Sequence, residues 1–445
     1  MRPLTFGTEQ IDYATEAEAR MNYISRMNVG VLLLSLAWCS ACGDTTPNSY
    51  LPADPLNYRL DYVIRPDPGT GSVAVTLQLS QARFLLREMR MQLNPGISDL
   101  DADGTLSITD DNVIWTPPTA GGELSWRVAV PHRRNGNGYD AWLDGNWGLF
   151  RAEDVIPRAA TRTLKGASSE TWLRLILPDD WSAVTQYFGS DGVIRIDNPS
   201  RRFDQPSGWM VLGDLGVRRE TISGVRVAVA GPIDNAIRRM DVLALLNWTI
   251  PELARLLPDL PPRLTIVSAG DPMWRGGLSA PQSLFIHADR PLISENATST
   301  LLHEVLHMAL GLSARKGHDW IIEGLAEYYS LELLHRSGTI SARRYAQAKT
   351  DLAAWAKDAT SLCKPSSTGA TTALAVGVLA NLDDEIRELT AGTASLDDVT
   401  RQLTAIDDRI GLDQLTAVSH KIAGTNLDTL HIDKLPGCRT LQADR

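Results

Sequence analysis

Two different periods divide this chain. From Leu56 to about Val229 the chain reads as strands, with apolar and polar residues alternating in its clearest runs. Tyr58-Arg59-Leu60-Asp61-Tyr62-Val63-Ile64 and Val73-Ala74-Val75-Thr76-Leu77-Gln78-Leu79 are the plainest cases, with Pro-Asp-Pro-Gly-Thr-Gly between them. Successive side chains of a strand point to opposite faces, so this spacing predicts half-buried strands joined by a turn. Thr171–Leu177 and Val225–Val229 are further strand-like runs. Residues 56–230 therefore read as an all-β, sandwich-like domain. The aromatic run Trp142–Arg151 reads as packing at a domain seam.

Beyond that half the period lengthens. Ile233–Leu257 has helical spacing, and Arg263–Val267 and Ser283–His287 are short apolar strands. Thr298–Leu312 predicts a helix with Leu301, Leu302, Val305, Ala309 and Leu312 on one stripe. Asp319 is placed to cap a second helix running to about Arg336, with Gly338 just past its end. Everything after Ser341 reads as helix, with a capping box at Ser395–Asp398. The chain is thus multidomain. An α+β domain follows over 231–340 and a helical C-terminal subdomain over 341–445.

Charge narrows the partners. The net charge of −10 disfavours nucleic acid and anionic lipid headgroups, and no basic patch is present, so no nucleic-acid partner is expected. At the N-terminus, Val29–Trp38 is an apolar run of ten residues. That is short of the roughly 20 needed to span a bilayer but right for the core of a signal peptide. Arg26 gives its positive flank, and Ser40-Ala41-Cys42 resembles a bacterial lipobox, with Cys39 where that pattern usually has Leu. Residues 1–42 therefore read as a signal segment, with translation starting at Met21 or Met27. Cys42 is the expected lipidation site and membrane anchor, and 43–55 is a polar, Pro-rich tether. The expected location is the bacterial cell envelope, lipid-anchored and facing the periplasm. Gly43 gives no signal for inner-membrane retention, which favours the outer membrane. Cys363 and Cys438 remain as an even pair in an oxidising compartment and are expected to form a disulfide.

The chemistry sits on the predicted 298–312 helix. His303-Glu304-Val305-Leu306-His307 is an HExxH motif. Positions i and i+4 share a helical face, so both imidazoles can reach one ion. Glu304 is placed to act as general base toward an attacking water. His318 lies eleven residues after His307 rather than six, and Leu310 stands where a metzincin has Gly, which excludes that class. His132, His287, His335, His420 and His431 have no ligand spacing.

Trp320-Ile321-Ile322-Glu323-Gly324-Leu325-Ala326-Glu327-Tyr328 resembles the W-x-x-E-G-x-A-E-Y segment of gluzincin metallopeptidases. The resemblance implies Glu323 as third zinc ligand. Two histidines and one carboxylate leave a fourth position open, as in catalytic zinc sites. Glu327 matches a carboxylate that accepts the free ring N–H of a ligand histidine. The wider pattern resembles the M61 glycyl aminopeptidase family. It comprises Gly276-Gly277-Leu278, Ser283, the two motifs, Gly338–Ser341, Tyr345, Leu382-Asp383, Arg387, Thr390 and Ser395–Asp398. That family implies a thermolysin-like zincin domain behind an N-terminal β domain. It also implies Zn2+, a peptide or protein substrate, and substrate binding at Gly276, Gly277 and Leu278. It often adds a C-terminal PDZ domain, for which this chain has no room.

Two positions depart from the family. Ser279 stands where G-G-L-E-H has an acid suited to holding a substrate α-amine, which leaves exo- versus endopeptidase action open. No tyrosine follows Tyr345, although the family uses one in a Y-x-x-G segment. The counterpart here lies around Leu374 and Gly377, and His420 is a candidate substitute. The leading expectation is a zinc peptidase hydrolysing peptide bonds. The alternative is a zinc-holding lipoprotein that binds or assembles with little catalysis.

Overall fold

The computed structural model describes residues 51–438 apart from 110–111, 135, 137, 188–191 and 198–202. The signal segment, Cys42 and most of the tether lie outside the described residues.

The alternating half forms three sheets. A six-stranded sheet runs in the order Val193–Arg195, Ser168–Leu175, Asn57–Asp67, Ser72–Ser80, Gly121–Ala129, Ile97–Ala102. A four-stranded sheet runs Ala159–Thr163, Leu86–Gln92, Asn112–Thr116, Thr105–Ile108. Leu60, Leu77 and Trp126 of the first share one core with Met89, Val113 and Trp115 of the second. Alternation along Asn57–Asp67 puts Tyr58, Leu60, Tyr62 and Ile64 on the buried face.

The third sheet explains the aromatic run. Its order is Ser182–Val184, Trp209–Gly213, Trp147–Arg151, Tyr139–Leu143, His132–Arg133. Trp209-Met210-Val211-Leu212 is buried throughout. Met210 and Leu212 join the β-half core, while Trp209 and Val211 join a second core. Trp147 and Leu149 enter that second core with Ala230, Val267 and Phe285 of the next sheet. A strand covered on both faces is apolar at every position, because neither set of side chains meets water.

The next sheet carries the site. Its order is Leu215–Ile222, Val225–Pro232, Arg263–Ala269, Ser283–His287, Gly277–Ala280, with the middle pairings parallel and the outer two antiparallel. Helix Arg239–Leu256 joins the first parallel pair. Ile266, Leu284 and Ile286 face a helical core built with Leu301, Val305, Trp320 and Tyr329. The boundary expected at 230/231 falls within the strand Val225–Pro232, whose neighbours on both sides belong to this sheet. Ser283–His287 is internal to this sheet, and Gly277–Ala280 is its edge. Past Ser341 the long elements are helices: Ala342–Trp355, Ala370–Leu389, Leu396–Thr404 and Leu412–Ala423. Ser395 and Asp398 form the capping box. A disulfide joins Cys363 to Cys438. Among the described residues no helix is long and apolar enough to cross a membrane.

Candidate metal centre and active site

The motif helix spans Thr300–Leu310. Ser299 caps it by accepting from Leu302 N at 3.3 Å, and Gly311 ends it in the left-handed conformation. Leu301, Leu302, Val305, Leu306 and Leu310 are buried. With that stripe anchored, His303 and His307 face the next helix, Asp319–Arg336, one turn into which lies Glu323.

Three donor atoms converge there. His303 Nε2 and His307 Nε2 are 3.0 Å apart. Each lies 3.3 Å from an oxygen of Glu323. Donors at about 2.0–2.2 Å around one tetrahedral zinc ion sit roughly 3.3 Å from one another, so the residues fit that ion. Among the described residues this is the group of three or more His, Cys, Asp or Glu side chains that could hold a metal. Glu327 Oε2 lies 2.9 Å from His303 Nδ1, which orients the ring and leaves Nε2 for the ion.

The charge pattern without metal is that of a cation site. Burial works to lower the His303 pKa, but the carboxylates of Glu323 and Glu327 outweigh it and hold the imidazole up at about 10. Burial works to raise Glu323, and hydrogen bonds from both histidines pull it down to about 2. Glu304 is buried, and loss of water holds its carboxyl above the usual range; the two imidazoles and a Ser279 hydrogen bond pull the other way.

Two glycines permit the close approaches. A Cβ at Gly277 would lie 2.7 Å from Glu304 Cγ and 2.9 Å from Thr300 Cγ2, so the edge strand touches the base only because that position is bare. At Gly324 a Cβ would lie 2.8 Å from Ala375 Cβ and 2.9 Å from Leu379 Cδ1. That glycine lets helix Ala370–Leu389 pack against the helix carrying Glu323.

A cavity of about 370 Å³ opens over these groups, lined by His303, Glu304, Glu323 and Glu327. Gly276, Gly277, Trp274 and Arg290 form its wall on the sheet-edge side, and Ser367–Gly369, Thr372 and Trp355 contribute from the helical subdomain.

The fold is similar to that of several solved structures. An aminopeptidase N family protein from Idiomarina loihiensis matches with a TM-score of 0.58 at 18% identity, over 78% of this chain and 70% of that one. An M1 zinc metallopeptidase from Deinococcus radiodurans matches at 0.53 and 14% identity, over 84% and 91%. Yeast LTA4 hydrolase in complex with bestatin matches at 0.52 and 14% identity, over 85% and 67%. These structural neighbours are M1 aminopeptidase N-like zinc metallopeptidases, and the chain shares their multidomain fold. No protein-family model matches the chain, and no curated protein does.

Within this fold some expected roles move. Leu278, expected beside the glycines in substrate binding, does not line the cavity; its side chain packs at the sheet seam and its carbonyl accepts from Trp209 Nε1 at 2.9 Å. Asp319 does not cap its helix; His318 occupies that position, and Asp319 Oδ2 accepts from Ser367 N at 2.6 Å, holding the cavity wall. His318 Nδ1 accepts from Leu412 N. His420 lines a different cavity with Arg315 and Lys316, away from the motif residues, which removes it as a stand-in for the missing tyrosine. Leu374 packs against the helical core and does not line the cavity. The hydroxyls lining it belong to Thr298, Thr300, Ser367, Thr368 and Thr372. Tyr328 and Tyr329 are committed elsewhere, to Asp383 and to Asp397 and Thr400. Trp274, Arg290 and Trp355 had no motif to announce them. Only the nearness of Trp274 and Arg290 to Gly276-Gly277 in sequence was a signal.

Proposed function

We propose that the chain is a zinc-dependent peptidase of the gluzincin type, related to the M61 family within the aminopeptidase-like fold. The observation that carries this reading is the convergence of His303, His307 and Glu323 beside a buried Glu304, under a cavity bounded by an open sheet edge. A bound zinc ion supplies Lewis-acid polarisation of the scissile carbonyl and activation of water. Glu304 accepts the proton of the attacking water and returns it to the leaving amine. Its burial beside Gly277 favours proton uptake, because the charged form is the desolvated one.

The edge strand positions the substrate. His287 N donates to Gly276 O, and Leu278 is in register with Phe285. Antiparallel pairing alternates, so Gly277 and Ser279 turn their own N–H and C=O toward the open edge. A peptide added there would lie across Glu304 by β-augmentation. Ser279 contacts the base and offers no charge to a free α-amine, which favours action on blocked as well as free N-termini.

The proposed setting is the bacterial cell envelope, with a lipid anchor at Cys42 facing the periplasm and the outer membrane preferred. The Cys363–Cys438 bridge supports an oxidising compartment. Leu374 in place of a tyrosine favours the second reading, a zinc-holding binding module. Zinc analysis together with a peptide library on the purified protein separates the two. Cleavage that stops on chelation and returns with zinc supports the peptidase. Stoichiometric zinc with no cleavage supports the module.

A further inference from the structure

We propose that Arg290 reads a carboxylate on the leaving-group half of the substrate. The proposal rests on the peptidase reading for its geometry and adds a substrate class to it.

Arg290 lines the same cavity as the metal ligands and Glu304. It is anchored to the turn that carries the edge strand. Its backbone N–H donates to His287 O at 3.0 Å, and its Nε donates to Arg275 O at 2.8 Å. The guanidinium is thereby held at the Gly276 end of the edge with its terminal nitrogens to spare. The acids nearest in sequence are already engaged, since Arg275 contacts Asp271 at 2.7 Å and Asp289 at 3.7 Å. Among the described residues Arg290 itself enters no ion pair. The other charged groups of the cavity, Glu304, Glu323, Glu327 and the His303 imidazole they hold, all belong to the metal corner. Arg290 is thus the cation lining this cavity away from that corner, in a chain whose net charge is −10.

Direction follows from the sheet. The edge strand runs from Gly277 to Ala280, and Gly277 is the residue against Glu304. A substrate strand pairing antiparallel enters past Ala280 and leaves past Gly276. Its scissile bond faces Glu304 near Gly277. At roughly 3.3 Å per residue, the first or second residue after that bond comes level with Arg290. Trp274 and Trp355 line the same cavity, and Arg134 is stacked 4.5 Å over the Trp274 ring. An arginine fork with free terminal nitrogens matches a carboxylate in two-point geometry. That carboxylate is either an acidic side chain or the free C-terminus of a short peptide.

The test uses paired peptides. One pair differs only in a free or amidated C-terminus two residues beyond the scissile bond. The other has Glu or Gln at that position within a longer chain. Binding is read by tryptophan fluorescence on zinc-loaded Glu304→Gln protein, and cleavage on the wild type. The expected result is about a 10-fold preference for the carboxylate member of one pair, the usual scale of a charge-assisted hydrogen bond. The pair that shows it names the source. Arg290→Gln should bring that ratio close to one, and Arg290→Lys should keep part of it. Equal binding within both pairs, no binding of either, or a preference that survives Arg290→Gln overturns the proposal. A binding preference lost in Arg290→Gln, with no cleavage of any peptide, leaves it standing and removes the peptidase reading instead.

Discussion

The two walls of the cavity over the HExxH motif are built on different terms. On one wall every polar group is specified by another. His303 is held between Glu323 and Glu327, His307 faces Glu323, and Gly324 lets the supporting helix close in. On the other wall Arg290 is the charged group, Ser279 meets the base without a charge, and the hydroxyls of Ser367, Thr368 and Thr372 line the helical side. A metal site tolerates no drift, because each ligand fixes the others through one ion. A substrate wall can change residue by residue and keep the reaction. The contrast predicts conserved chemistry with altered selection.

The largest expected effect is on the metal wall. His303→Ala or Glu323→Ala removes one of three protein ligands and should abolish stoichiometric zinc, read by metal analysis after dialysis. Full occupancy in both variants would break the comparison at its root. Glu327→Gln should keep the fold and lower zinc affinity by about 10- to 100-fold, the usual effect of losing a carboxylate behind a ligand histidine. Unchanged affinity would reduce Glu327 to an ordinary helix acid.

Zinc uptake should also move a proton. The His303 pKa is raised to about 10 in the metal-free protein, so the ring is charged at pH 8. Its contribution to stability is fully present below its unfolded pKa of about 6.5 and is lost as pH rises through 10. Glu323, lowered to about 2, is already ionised at pH 8. Binding through Nε2 should then release about one proton per zinc. Titration calorimetry at pH 8 in buffers of different ionisation heat measures this, and heats that do not vary with buffer contradict it.

The smallest effect belongs to the substrate wall. Peptides with blocked and free N-termini should be cut at similar rates, within about threefold. Ser279→Glu should tilt the ratio toward free N-termini, by about the 0.5–1.5 kcal/mol of a net hydrogen bond. A strong wild-type preference for free N-termini would show that some other group anchors the amine.

This same contrast governs what the sequence revealed. The metal wall was legible because helical spacing is local: four residues separate His303 from His307, and the E-G segment places Glu323 and Glu327 one turn apart. The strands of the β half were legible for the same reason, as period-two alternation in Asn57–Asp67 and Ser72–Ser80. What escaped depends on long-range pairing. Gly277–Ala280 is too short and too small in its side chains to show alternation, so its place outside Ser283–His287 could not be read. Asp319 looked like a helix cap until Ser367, 48 residues away, supplied its donor. The strand Val225–Pro232 reads as a strand like those before it, and only its pairing with Arg263–Ala269 assigns it to the sheet that carries the site. The Ser367–Gly369 part of the wall has no period at all.

The central claim is that Glu304 serves as the base of a zinc peptidase, and one substitution isolates it. Glu304→Gln keeps the shape and leaves His303, His307 and Glu323 untouched. Zinc content and peptide cleavage should be measured on the same preparation. The account predicts full zinc and a rate at least 100-fold below wild type, the lower end for loss of a general base. Full zinc with wild-type cleavage would contradict it.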